Sequence, residues 1–181
     1  MTFFTDQKSD KKESDTKNYF ISTDKNLLDR EKIFSLLTNC FWSKNIPIEY
    51  VERFIQFSLC FGIYKDSNNQ LVGFARIISD YTTYAYLCDV VIDSLHQKKG
   101  LGSRLVKEIM AHPDLQGLKT WSLRTTDEAK KIYLKNGFVP IDNHQTLLEI
   151  DDLEVYSRAD FRNLHEQKEH HENQTEPQPS G

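Results

Sequence analysis

Apolar side chains return along this chain at two intervals, and each change of interval marks a change of element. Ile33, Phe34 and Leu37 share one face over residues 30–38, and Asp29 stands where an N-cap belongs. Over 48–59, Val51, Phe54, Ile55 and Leu59 recur at helical spacing. Leu101, Leu105, Val106, Ile109 and Met110 form a third stripe, around a helix predicted for 103–111, with Arg104, Lys107 and Glu108 facing out. A further short helix is predicted for 127–136, and Gly137 suits its left-handed stop. Pro47 and Pro113 bar helix continuation where they fall. Shorter apolar runs read as strands at 19–22, 61–64, 71–79, 84–92, 120–125, 138–140 and 146–150. Asp66-Ser67-Asn68-Asn69 carries hairpin chemistry between two of them. The pattern predicts an α/β (α+β) domain, a central and mostly antiparallel sheet with helices on both sides.

Length changes this picture little: 181 residues suffice for one domain with a sizeable core. The polar, mixed-charge lead (1–18) and the tail (164–181), rich in Glu, His, Gln and Pro, are expected to be disordered, leaving a folded unit at 19–163. The net charge of −4 lies mostly in that tail, so the body is nearly neutral and lacks the basic face of a nucleic-acid binder. No apolar run approaches membrane-spanning length and no signal peptide is visible, so a cytoplasmic protein with no membrane partner is expected. The odd count of 3 cysteines, Cys40, Cys60 and Cys88, all in apolar segments, reads as buried thiols in a reducing compartment. His170 and His171 belong to the solvated tail, and no metal is expected.

Candidate chemistry centres on Gln97-Lys98-Lys99-Gly100-Leu101-Gly102, which follows the strand 84–92 and opens a helix. Backbone N–H groups at a helix start lack intrahelical acceptors, and the helix dipole adds positive potential there. Gly100 and Gly102 let an anion approach the backbone, with Lys98, Lys99 and Arg104 available on the rim. The natural ligand is a diphosphate. The segment is neither a P-loop nor the dinucleotide glycine fingerprint.

The loop resembles the Q/R-x-x-G-x-G/A diphosphate loop of the GNAT superfamily of acetyl-CoA-dependent N-acetyltransferases. Ala129-Lys130-Lys131-Ile132-Tyr133-Leu134-Lys135-Asn136-Gly137-Phe138 is similar to that family's A-x-x-x-Y-x-x-x-G-F segment. The resemblance implies the GNAT fold with splayed central strands, and acetyl-CoA as co-substrate. It implies that Val90, Val91 and Ile92 pair with pantetheine, that Gln97, Lys98, Lys99, Gly100, Leu101, Gly102 and Ser103 hold the diphosphate, and that Asp127 stands at a position often held by Asn. Tyr133 is the candidate general acid toward the leaving thiolate. Asp89 is a candidate for the acceptor's proton, or a structural carboxylate with a partner, since a carboxylate in so apolar a run needs one or the other. Arg76 and Arg124 could pair with it or meet an anionic acceptor. Phe41, Trp42, Tyr81 and Tyr84 are candidate walls for an amine. The expected reaction is direct transfer to the primary amine of a small molecule. Transfer to a protein lysine or N-terminus, and a non-catalytic CoA-binding module, remain open alternatives, and two-copy assembly is common in the family. Ser94 and His96 depart from the family's frequent proline and aromatic residue.

Overall fold

The computed structural model describes residues 16–141, 148–152 and 154–158. The lead before residue 16 and the tail after 158 lie outside them. Thr16–Asn18 form a turn, with the Tyr19 amide donating to the Thr16 carbonyl at 3.2 Å.

The elements follow in the order β1 (Tyr19–Ser22), α1 (Arg30–Leu37), α2 (Ile48–Phe57), β2 (Leu59–Lys65), β3 (Gln70–Ser79), β4 (Tyr84–Ile92), α3 (Leu101–Met110), β5 (Thr120–Ser122) and α4 (Asp127–Leu134). The strands form one 5-stranded sheet in sequence order, antiparallel from β1 to β4 and parallel between β4 and β5. Helices cover both faces, so β2 and β3 are buried on both sides and read as nearly unbroken apolar runs. On one face Ile33, Leu37, Val51 and Ile55 of α1 and α2 pack on Cys60, Leu71 and Phe74. On the other, Leu101, Leu105, Val106 and Ile109 of α3 pack on Phe61, Ile63, Ile77 and Leu87. Among the described residues no helix is long and apolar enough to cross a membrane.

Local chemistry accounts for the boundaries. Asp29 Oδ1 accepts the Lys32 amide at 2.9 Å and caps α1. The helix predicted to run to Leu59 stops at Phe57, because Ser58 is extended and Leu59 pairs with Ile77. α3 starts at Leu101, two residues earlier than expected, with Gly100 as its N-cap at φ +90°. Gly137, also at φ +90°, ends the last turn after α4.

The β5 end of the sheet departs most from expectation. β5 has 3 residues and ends at Ser122, where a strand to Thr125 was expected. Residues 138–140 and 148–150 form no strand, while Thr146 and Leu147 lie outside the described residues. Pro140 has no N–H for a ladder. The returning segment is held by side chains instead: Arg124 pairs with Glu149 and, at 2.8 Å, with Asp151.

Candidate active site

β4 is paired with β3 from end to end but meets β5 only from Tyr84 to Tyr86. The cause is a bulge. Phe74 faces Val91 and Arg76 faces Cys88, so Asp89 and Val90 together oppose Ala75. Asp89 takes φ +54°, a left-handed conformation that Asp tolerates better than most residues. The extra residue increases the local twist, and the second half of β4 leaves β5. Strand alternation then decides which groups face the gap. The Asp93 amide donates to the Val72 carbonyl at 2.8 Å, so the Ile92 backbone points to the opposite, open edge. Val90 shares that direction, whereas Val91 faces β3. The Gln97 side-chain amide reaches into the gap and donates to the Ile92 carbonyl at 2.9 Å.

The glycine loop sits at the end of this edge. Lys98 (φ +63°) and Gly100 (φ +90°) turn the chain into α3, whose first intrahelical bond runs from the Arg104 amide to the Gly100 carbonyl at 3.1 Å. The amides of Leu101, Gly102 and Ser103 therefore have no acceptor within the helix. A Cβ at Gly102 would lie 3.6 Å from Ile132 Cδ1, an ordinary contact, so packing does not demand glycine there. Two of the expected rim cations turn inward. Arg104 donates to the carbonyls of Thr16 and Tyr19 at 2.7 Å each, and Lys99 donates to the Tyr19 hydroxyl at 3.2 Å. That hydroxyl also bonds His96 Nδ1 at 2.8 Å. Lys98 stays exposed. Asp93 fixes the loop's other end. It accepts from Lys32 at 2.5 Å and from the Leu95 amide at 3.0 Å, and the Lys32 bond holds its carboxyl below the usual carboxylate range.

Beyond the gap lies a cavity of about 890 Å³. Phe41 and Trp42, packed edge to face at 5.0 Å on a 3-10 turn, form one wall. Tyr50, Arg53, Phe54 and Phe57 form another from a single face of α2. Tyr86, Cys88, Asp89 and Val90 of β4 make the floor, and Ala129 and Tyr133 of α4 close the end near the gap. Tyr133 is 8% exposed, its ring set edge-on to Phe138 at 6.0 Å. Burial raises its phenol above the ordinary value, so it carries its proton at neutral pH. Burial also pushes the Cys88 thiol up to about 12. That leaves it protonated and a poor nucleophile.

Asp89 has a partner. Arg76 Nε donates to its carboxylate, and the same guanidinium lies 4.4 Å from the Phe54 ring centroid and 3.4 Å from Ser58 Oγ. Asp151 and Tyr156, from the described stretches 148–152 and 154–158, line the outer side of the cavity. Arg124 holds the first stretch at Glu149 and Asp151; Asn45 Nδ2 donates to Ser157 Oγ at 3.3 Å, and Tyr156 packs edge-on to Tyr50 at 5.8 Å.

The expected residues divide accordingly. Phe41, Trp42, Asp89, Val90 and Tyr133 meet at the cavity. Tyr81 and Tyr84 do not: both are exposed around the turn at the far end of β4, where the Tyr84 hydroxyl bonds Ser122 Oγ. Asp127 lies in the first turn of α4, exposed, beside a cap made by Thr126. Tyr50, Tyr86 and Tyr156 are additional walls. The first could have been found: Tyr50, Arg53, Phe54 and Phe57 repeat at helical spacing, a second stripe beside the core stripe of Val51 and Ile55. Nothing local marks Tyr156.

Known proteins are similar to this chain in sequence and fold. The model of the acetyltransferase (GNAT) domain matches residues 56–140. A solved structure from Xanthomonas campestris pv. campestris, ascribed to the GNAT family of acetyltransferases, is 42% identical, with a TM-score of 0.73 over 77% of this chain and 97% of that one. A Gibberella zeae protein assigned to the acetyltransferases is 29% identical over 132 residues, 61% of this chain and 73% of its own. A GNAT acetyltransferase from Elizabethkingia anophelis, solved with acetyl-CoA bound, shares the fold at 16% identity, with a TM-score of 0.50 over 67% of this chain and 74% of that one. The splayed fourth strand, the glycine loop and these likenesses agree, and the chain belongs to the GNAT family of acetyltransferases.

Proposed function

We propose that this acetyltransferase moves an acetyl group from acetyl-CoA to the primary amine of a small molecule, directly, with both substrates bound. The observation that carries the reading is that Asp151, held by Arg124, and Tyr156, packed on Tyr50, line the cavity, which suits a pocket rather than an open groove for a peptide. The residues fit the co-substrate. Val90 and Ile92 offer backbone groups on an edge that β5 leaves open, as a pantetheine arm requires. The amides of Leu101, Gly102 and Ser103, with Gly100 and Gln97 shaping the turn, suit a diphosphate, and a glycine at 102 that packing does not demand suits its close approach. Lys98 is placed to add charge from solvent, while Lys99 acts by holding the loop to Tyr19. Val91 serves as core on the opposite face, and Asp127 adds no contact to the cavity.

Acetyl-CoA supplies the acetyl group as a thioester. Tyr133, protonated and aimed at the junction of gap and cavity, donates the proton that the departing thiolate takes up. The apolar aromatic walls favour the amine's neutral, attacking form. Asp89 orients Arg76 and the bulged strand, and is the carboxylate nearest to receive the amine's proton. With Cys88 held as a thiol, transfer without a covalent acetyl-enzyme is the simpler route. Initial rates over a matrix of acetyl-CoA and amine concentrations test this: intersecting lines are expected with an N-acetylated small product, whereas parallel lines, or acetylation of peptides alone, would sink the reading.

A further inference from the structure

Resting on that reading, the charges around the cavity narrow the acceptor further. Among the described residues, those lining it are Arg53, Arg76, Asp89, Arg124 and Asp151. Each carboxylate is already engaged: Asp89 by Arg76 and Asp151 by Arg124. Arg124 also takes Glu149, and the Arg53 guanidinium lies 5.8 Å from the Phe57 ring centroid. A polyamine needs an unengaged carboxylate for every ammonium beyond the one that reacts, and the pocket offers none on Asp89 or Asp151. A sugar phosphate needs cations not already neutralised, and Arg76 and Arg124 are neutralised. Much of the remaining lining is aromatic, with Trp42, Tyr50, Phe54, Tyr86 and Tyr156 converging beside aliphatic residues such as Ile46, Leu87 and Val90.

We infer that the acceptor is an apolar monoamine carrying an aromatic ring, of the arylalkylamine class. The ring packs among Trp42, Tyr50 and Tyr156, edge-to-face or offset, as aromatic pairs prefer. Its single ammonium points along β4 toward Asp89 and Tyr133. The aromatic surroundings attract the cation on entry, and their low polarity around the amine favours the nucleophilic free form. No second charge has to be buried.

The test is thiol release from acetyl-CoA by the full chain with 2-phenylethylamine, spermidine, glucosamine 6-phosphate or a lysine-containing peptide as acceptor. We expect kcat/KM for 2-phenylethylamine to exceed the others by at least about tenfold. Trp42→Ala and Tyr156→Ala should each lower it about tenfold while the acetyl-CoA dissociation constant holds, since each ring contributes its burial to that acceptor alone. Preference for spermidine or the sugar phosphate would overturn the inference and leave small-amine acetylation standing. Turnover of the peptide alone, or of no acceptor despite acetyl-CoA binding, would overturn both. If neither variant lowers kcat/KM for 2-phenylethylamine, the aromatic walls do not select the acceptor and the inference fails.

Discussion

The glycine loop and the acceptor cavity lie at successive stretches of one strand, yet they are built in opposite ways. The loop is local. Its turn, its unpaired amides and its helix start come from consecutive residues, and distant side chains such as Tyr19 and Lys32 only brace it. The cavity is assembled from α2, the turn before it, β4, α4 and the returning segment near Asp151, and consecutive residues contribute only fragments of each wall. A site of the first kind survives with few contacts but fails when its backbone is blocked. A site of the second kind has no single indispensable residue for binding, and its character lies in the sum of its lining.

Blocking the loop should give the largest effect. Gly100→Trp places a bulky side chain at φ +90°, where side chains are strained, and in the path of the ligand. Acetyl-CoA binding measured by calorimetry should fall by more than about a hundredfold, or at least about 2.7 kcal/mol. Retained binding would show that the loop is only a turn.

At the junction of the two regions, Tyr133→Phe should lower kcat by about a hundredfold, within the range of general acid catalysis, and leave the acetyl-CoA dissociation constant unchanged. A fall in affinity instead would make this buried tyrosine part of the binding surface. Asp89→Asn keeps a residue that accepts the left-handed bulge but removes the charge facing Arg76. The fold should lose about 2 kcal/mol by urea unfolding, because a largely buried guanidinium is left uncompensated. Wild-type kcat and acceptor KM in that variant would confine Asp89 to a structural role.

Smaller effects separate the brace from the turn it holds. The Lys32 contact depresses the Asp93 carboxyl, so the pair stabilises the fold above the usual carboxylate range and loses that contribution as pH falls through the depressed value. Lys32→Ala should therefore cost about 1 kcal/mol at neutral pH, and the difference should close as pH falls below the usual carboxylate range. A pH-independent difference would mean that lost packing explains it. At the cavity floor, Cys88 should resist iodoacetamide at mildly alkaline pH in the folded protein, its thiol being pushed up to about 12 by burial. Rapid modification would reopen a nucleophilic role.

Much of this architecture was legible in the chain because its signals are short-range. Helix stripes, the Asp29 cap, the Asp66–Asn69 hairpin, the left-handed Gly137 and the loop after β4 all depend on neighbours within a few residues. Asp89 could be flagged as costly in an apolar strand, but its partner, Arg76, stands across a register that only sheet pairing defines. Tyr81 and Tyr84 looked like cavity walls for their aromatic rings; they stand exposed at and before the start of β4, where Tyr84 turns to Ser122. The final strands were expected from short apolar runs, which cannot tell a ladder from a segment held by Arg124.

Periodicity and glycine placement thus settled the fold class, the presence and approximate extent of the helices, the hairpin and the glycine turn into α3, since each follows from backbone conformation and burial within a short window. The bulge that parts β4 from β5, the engagement of Asp89 and Asp151 by arginines and the placing of Tyr156 against Tyr50 at the cavity were decided in three dimensions. They depend on register and on ion pairs between residues far apart in the chain, and those distances exist only once the sheet and its two helical layers have packed.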